Sequence, residues 1–263
     1  MKEADSQVTA AIDAIEARVY ASLKKFGFRR HGRTLHRFVS GDISQVINFQ
    51  CGQAYRGETD SMWVNTGIRV PECSEREFFP SQPAKKYYKE YECTIRSRLG
   101  LIDGGEEKCF SVACGAEAAA NEILDDILRK VLPVFDALSD RRAILARRRD
   151  YPTFDTLNRN LILLEEAMIY GHLGETEKAE ECFETYYRKA LDDYNGQLAN
   201  GRKYYLRKGE RIISMGQDIT AQEDGWVTIC GASCVHLDYL DELAAKLGLG
   251  RRRACDLDIH SGI

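Results

Sequence analysis

Residues 34–70 constrain the fold more than any other stretch of this chain. Three short runs there alternate apolar and polar side chains: Thr34–Val39, Ile43–Cys51 and Met62–Val70. Side chains of a strand point to opposite faces in turn, so this period predicts an antiparallel sheet with one apolar and one polar face. Ile43, Ile47, Phe49 and Cys51 share the apolar face of the second run, and Met62, Val64, Ile68 and Val70 that of the third. Ser40-Gly41-Asp42 is a turn signal between the first two. Residues 52–60 form a polar loop, and Pro71, which cannot extend a central ladder, ends the third run.

The flanking segments complete an α+β pattern. Val8, Ile12, Ile15, Val19 and Leu23 recur at helical spacing, predicting a helix over about 6–25 that Gly27 closes after Lys24 and Lys25. Residues 71–91 are irregular and aromatic (Phe78, Phe79, Tyr87, Tyr88, Tyr91), as in a loop that covers a sheet edge or a site. A fourth strand is expected over 92–99 with Cys93, Ile95 and Leu99 inward, and a fifth over 108–114 with Phe110 and Val112 inward, across the turn Asp103-Gly104-Gly105. A helix follows from Ala116, with Pro133 breaking or kinking it. The expected fold class is thus α+β: about five antiparallel strands flanked by helices over 1–132, then a mainly helical region over 133–263. That region includes helices at 134–149, 158–173, 176–194 and 235–247, with 225–234 read as a short strand or a buried turn. The spacing Ala167, Tyr170, Gly174, Ala179, Phe183 resembles one tetratricopeptide unit, whereas an array needs about three.

Several segments of the first half stand in a familiar order: Phe26-Gly27-Phe28-Arg29-Arg30, Arg33 to Arg37, Gln45-Val46-Ile47-Asn48-Phe49-Gln50, Asn65-Thr66-Gly67 and Arg96-Ser97-Arg98-Leu99-Gly100. Over about residues 10–135 they resemble the bacterial domain-of-unknown-function family 4304, most specifically in the QVINFQ run. Where such proteins often carry a tryptophan-rich segment, this chain reads Lys108-Cys109-Phe110-Ser111, which removes any role tied to those tryptophans. The family has no assigned activity, so the resemblance implies a fold and a bacterial origin but no chemistry.

Charge and cysteine usage narrow the function classes. A net charge of −4 provides no global basic field and argues against a nucleic-acid partner. Acidic residues within the first twenty positions exclude a secretory signal, and no apolar run approaches the ~18 residues of a membrane span, so a cytoplasmic location is expected. The nine cysteines contain no CxxC pair and read as buried thiols in a reducing compartment.

The strongest candidate site is the polar sheet face, with Asn48, Gln50, Asn65, Arg69, Arg96 and Arg98. Arginines there would grip carboxylate or phosphate and amides would read an edge, unless the face simply meets solvent or other helices. Basic clusters at 29–33, in one turn, at 141–149, on a helix, and at 251–253 read as solvated faces. Cys230, Cys234 and His236 offer three metal ligands, with Cys255 or His260 as a fourth, but lack the paired spacing of structural zinc. No GxSxG, HExxH, P-loop or nucleotide-binding glycine motif is present, the histidines are scattered, and the adjacent pairs Glu165-Glu166 and Glu180-Glu181 diverge on their helices. The expectation is a non-catalytic interaction protein with a protein partner and no cofactor, one version being an immunity-type protein. The alternative is an enzyme or binder for a small phosphorylated or nucleotide ligand held by Arg69, Arg96 and Arg98.

Overall fold

The computed structural model describes residues 2–51, 61–76, 86–102, 104–111, 115–155, 159–215 and 217–250. The chain forms two compact units, Met1–Glu165 and Glu166–Ile263.

The first unit is built on an antiparallel sheet in the order β1-β2-β3-β4-β5, with β6 also paired to β4. Its strands are β1 (Arg29–His31), β2 (Thr34–Val39), β3 (Ile43–Cys51), β4 (Ser61–Arg69), β5 (Ile95–Arg98) and β6 (Phe110–Ser111). The expected alternation is present: Phe49 lies opposite Val64, Ile68 opposite Ile95, and Met62 opposite Phe110. Ile43, Ile47, Val64, Ile68 and Ile95 are all buried on this face. Helix α1 (Lys2–Leu23) adds Ile12, Ile15, Val19 and Leu23 to the core, and α2 (Ala116–Asp126) adds Ala119, Ala120 and Ile123. Burying each large apolar side chain stabilises the fold by about 1.5–3 kcal/mol relative to exposure.

Polar side chains on the apolar face tie the helices down. Gln45 donates through Nε2 to the Phe135 carbonyl at 2.5 Å, and Arg37 bonds Asp136 at 2.7 Å, both in α3 (Leu132–Ala137). Glu16 of α1, 1% exposed, receives Arg30 at 2.9 Å and also Arg33. Burial raises the Glu16 carboxyl above its usual range against the pull of Arg33 and Arg30.

Four sequence expectations are corrected. The basic turn at 29–31 is a strand, because its backbone pairs with β2 (Arg29 opposite His36) while its side chains stay exposed. The fourth strand begins at Ile95; Cys93 sits against the opposite face, where a Cβ on Gly67 would lie 2.6 Å from its own. The fifth strand starts at Phe110 rather than Lys108 and is described as far as Ser111, residues 112–114 lying outside the described residues. Pro133 does not break its helix. A wide turn of π-helix over Ile127–Val131 precedes it, and the proline takes a first-turn position of α3, where no helical N–H is needed. Leu138 ends that helix, and α4 (Arg141–Arg147) starts anew from the cap Asp140, whose carboxylate accepts the Ala143 N–H at 2.8 Å.

Helix α5 (Ile162–His172) leads through Gly174, at φ 74°, into α6 (Thr176–Asn200) of the second unit. Ala167, Ala179 and Phe183 are buried there. Beyond α6 comes a folded β-ribbon whose last strand falls in the 225–234 segment read as a strand or a buried turn, and whose other three strands the sequence pattern did not announce: β7 (Arg202–Leu206), β8 (Arg211–Ser214), β9 (Gln217–Thr220) and β10 (Gly225–Ile229), with β8 pairing β9 and β7 pairing β10. Helix α7 (Val235–Lys246) follows and buries Leu237, Leu240, Leu243 and Ala244. No described helix is long and apolar enough to cross a membrane.

Candidate functional site

The polar face of the first unit's sheet is covered by the chain itself. The segment 86–93 lies over it, and the predicted site residues are engaged with that cover, with neighbouring strands and loops, or with one another. Arg69 lies under the Tyr88 ring, its guanidinium carbon 3.5 Å from the ring centroid, and donates to Ser74 at 2.9 Å. Arg96 bonds Glu90 at 2.7 Å. Arg98 is salt-bridged to Glu107. Asn48 and Asn65 face each other across β3 and β4; Asn48 donates to Thr34 Oγ1 at 2.9 Å, and Asn65 donates to Gln50 Oε1 at 2.9 Å. The register also sets Asn65 beside Arg98 and Gly67 beside Arg96. Asn48, Asn65 and Arg98 therefore form one row across the sheet, with Gln50, Arg96 and Arg69 elsewhere on the same face. All three arginines are neutralised or stacked where they stand.

The 141–149 cluster is mixed: Arg142, Arg147 and Arg149 are exposed as expected, whereas Arg141 and Arg148 are internal clamps. Arg141 forks onto Asp42 and Glu72 at 2.8 Å, fixing the start of α4 to the turn after β2 and to the 3-10 turn Pro71–Arg76. Arg148, 1% exposed in its side chain, bonds Asp155 and Glu165 at 2.6 Å. Residues 251–253, Cys255 and His260 lie outside the described residues. His236 rests edge-on against Tyr186, 6.2 Å between centroids, while Cys230 is exposed and Cys234 half-buried. Of the seven described cysteines only Cys73 and Cys93 are fully buried, which corrects the expectation for Cys51.

Sequence reading set the aromatic loop over an edge or a site but did not pair it with β1 and β2, where part of this face remains open. Tyr87 stacks on His31 of β1 with centroids 4.4 Å apart and rings 12° from parallel, and it also meets His36 at 5.1 Å and Phe38 at 6.4 Å. His36, 1% exposed, has no hydrogen-bond partner at Nδ1 among the described residues. Burial, aided by the charges of His31 and Lys89, lowers its pKa to about 4 and keeps the ring neutral. Around this buried ring the surface is cationic and aromatic: Arg29, His31, Lys86 and Lys89 are exposed, as is Phe38 (42%). The signal was legible only in part. His36 and Phe38 share one strand face by parity, whereas Tyr87 comes from a segment with no periodicity.

No curated protein and no solved structure matches the chain. Residues 19–137, which run from the end of α1 through α3 and so contain the whole sheet, match the family described as a domain of unknown function (DUF4304).

Proposed function

We propose that the chain is a non-catalytic, cytoplasmic bacterial interaction protein, and that its partner is another protein presenting an acidic surface to the patch around Tyr87. The observation that carries this reading is the open aromatic and cationic patch itself: Arg29, His31, Lys86 and Lys89 surround Phe38 and Tyr87 without a salt-bridged acidic partner among the described residues. Aromatic and cationic side chains of this kind are enriched at the energetic centres of protein interfaces, and complementary charge speeds the encounter. An immunity-type protein that neutralises a toxin by stoichiometric binding is one activity such a surface would serve. The engagement of Arg69, Arg96 and Arg98 with Tyr88, Glu90 and Glu107 speaks for this reading over a phosphate or nucleotide pocket on the same face.

The test is recovery of the tagged chain from its native host. One protein in equal amount is expected, and it should be lost in the exposed triple variant Arg29→Glu, Lys86→Glu, Lys89→Glu. Recovery without a partner, or a partner indifferent to that charge reversal, would contradict the assignment.

A further inference from the structure

The second unit carries an unprotected sheet edge. Strand β10 pairs with β7 on one side only, and none of its residues hydrogen-bonds on the other side to any described residue. Its sequence, Gly-Trp-Val-Thr-Ile, holds no charge and no proline. Edge strands usually carry such residues, because a bare row of N–H and C=O groups is a template for another strand. The exposed face of the ribbon also carries an aromatic pair. Trp226 is 70% exposed and Tyr205 opposite it 53%, their rings edge-on at 5.5 Å. An edge-on pair offers no parallel platform to successive bases, which disfavours a single-stranded nucleic acid as the occupant.

We infer that β10 is the contact through which two copies of this chain associate, each β10 adding antiparallel to the other to join two ribbons into a four-stranded sheet. The absence of charge selects the occupant. An antiparallel self-pairing centred on Val227 brings Trp226 of one copy opposite Thr228 of the other and Gly225 opposite Ile229, so no like charges meet. The other edge, along β7, begins with Arg202 and Lys203, charges of the kind that guard an edge against a second strand. A twofold arrangement uses the same patch twice and closes on itself, leaving no free β10 edge to propagate. Two five-residue strands make a small contact, so the association is weak and concentration-dependent. This inference is independent of the patch around Tyr87, which lies on the first unit's sheet.

Sedimentation of the full chain across a dilution series into the high micromolar range tests it. The wild type should pass from the monomer mass to twice that mass. Two variants at the exposed positions Trp226 and Thr228 then test the register. Both include Thr228→Glu, which sets a carboxylate opposite Lys203 and so keeps the pairing within the ribbon favourable. In Trp226→Glu, Thr228→Glu, like charges oppose each other across the proposed contact, and the doubling should be lost. In Trp226→Lys, Thr228→Glu, opposite charges meet and the doubling should return, with unchanged circular dichroism in both. A wild type that stays monomeric throughout, a dimer that survives the double glutamate substitution, or a lysine–glutamate variant that fails to recover would each overturn the proposal. So would a monomer whose Trp226 fluorescence is quenched by an oligothymidylate, which would assign the face to nucleic acid.

Discussion

At the scale of single residues, two buried polar groups set the behaviour of the first unit. Arg148 lies between Asp155 and Glu165 with all three side chains at most 3% exposed. Replacing the guanidinium by an uncharged thioether leaves two carboxylates buried without their counter-charge, so Arg148→Met should lower stability by about 3–5 kcal/mol in urea unfolding. A change within experimental error would show that the carboxylates find other partners. His36 gives a pH signature. Its pKa is about 4 in the fold against an ordinary 6.5, so the unfolded chain takes up the proton first. His36 therefore costs nothing above pH 6.5 and progressively destabilises the fold as pH falls from 6.5 toward 4. The Glu16 carboxyl, raised by burial, acts with the opposite sign in its own range, so the difference between variants isolates the histidine. His36→Phe, which keeps a ring in the stack, should flatten the rise of stability with pH across that window. Equal slopes in the two proteins would contradict the assignment.

At the scale of elements, β4 shows how closely cover and sheet are fitted. A Cβ on Gly67 would meet Cys93 Cβ at 2.6 Å, Cys93 Sγ at 2.8 Å and the Ile95 carbonyl oxygen at 3.1 Å. Gly67→Ala must therefore push the covering segment or the β4–β5 ladder apart, at a cost of about 1–3 kcal/mol in thermal or urea unfolding. A neutral substitution would show that the cover is loosely held. The legible elements were those with a clean period. β2, β3 and β4 carry the alternating pattern, and α1 repeats at three to four residues. The missed elements lack a period or break a local rule. β1 has three exposed polar side chains and is a strand only because β2 pairs with it. Pro133 read as a breaker because a π turn just before it has no sequence signature of its own. The ribbon strands β7 to β9 carry charges and amides that read as loop, and only cross-strand pairing makes them strands.

At the scale of the whole molecule, parity placed Asn48, Gln50, Asn65, Arg69, Arg96 and Arg98 on one sheet face, and the register across β3, β4 and β5 agrees. What parity could not supply was what lies over that face. The cover comes from residues 86–93, and Glu90, Tyr88 and Glu107 reach the arginines from outside the strands. The central claim is that these arginines are held by the chain's own side chains and are not waiting for a phosphorylated ligand. A ligand bound only by the folded state raises the melting temperature, and at about 100-fold excess over its dissociation constant it adds roughly 2.7 kcal/mol. The most direct measurement is therefore the thermal melt of the full chain with inorganic phosphate and with a nucleoside triphosphate at saturating concentration, repeated for Arg96→Ala. The account predicts no upward shift with either compound. A shift of several degrees that Arg96→Ala abolishes would contradict it.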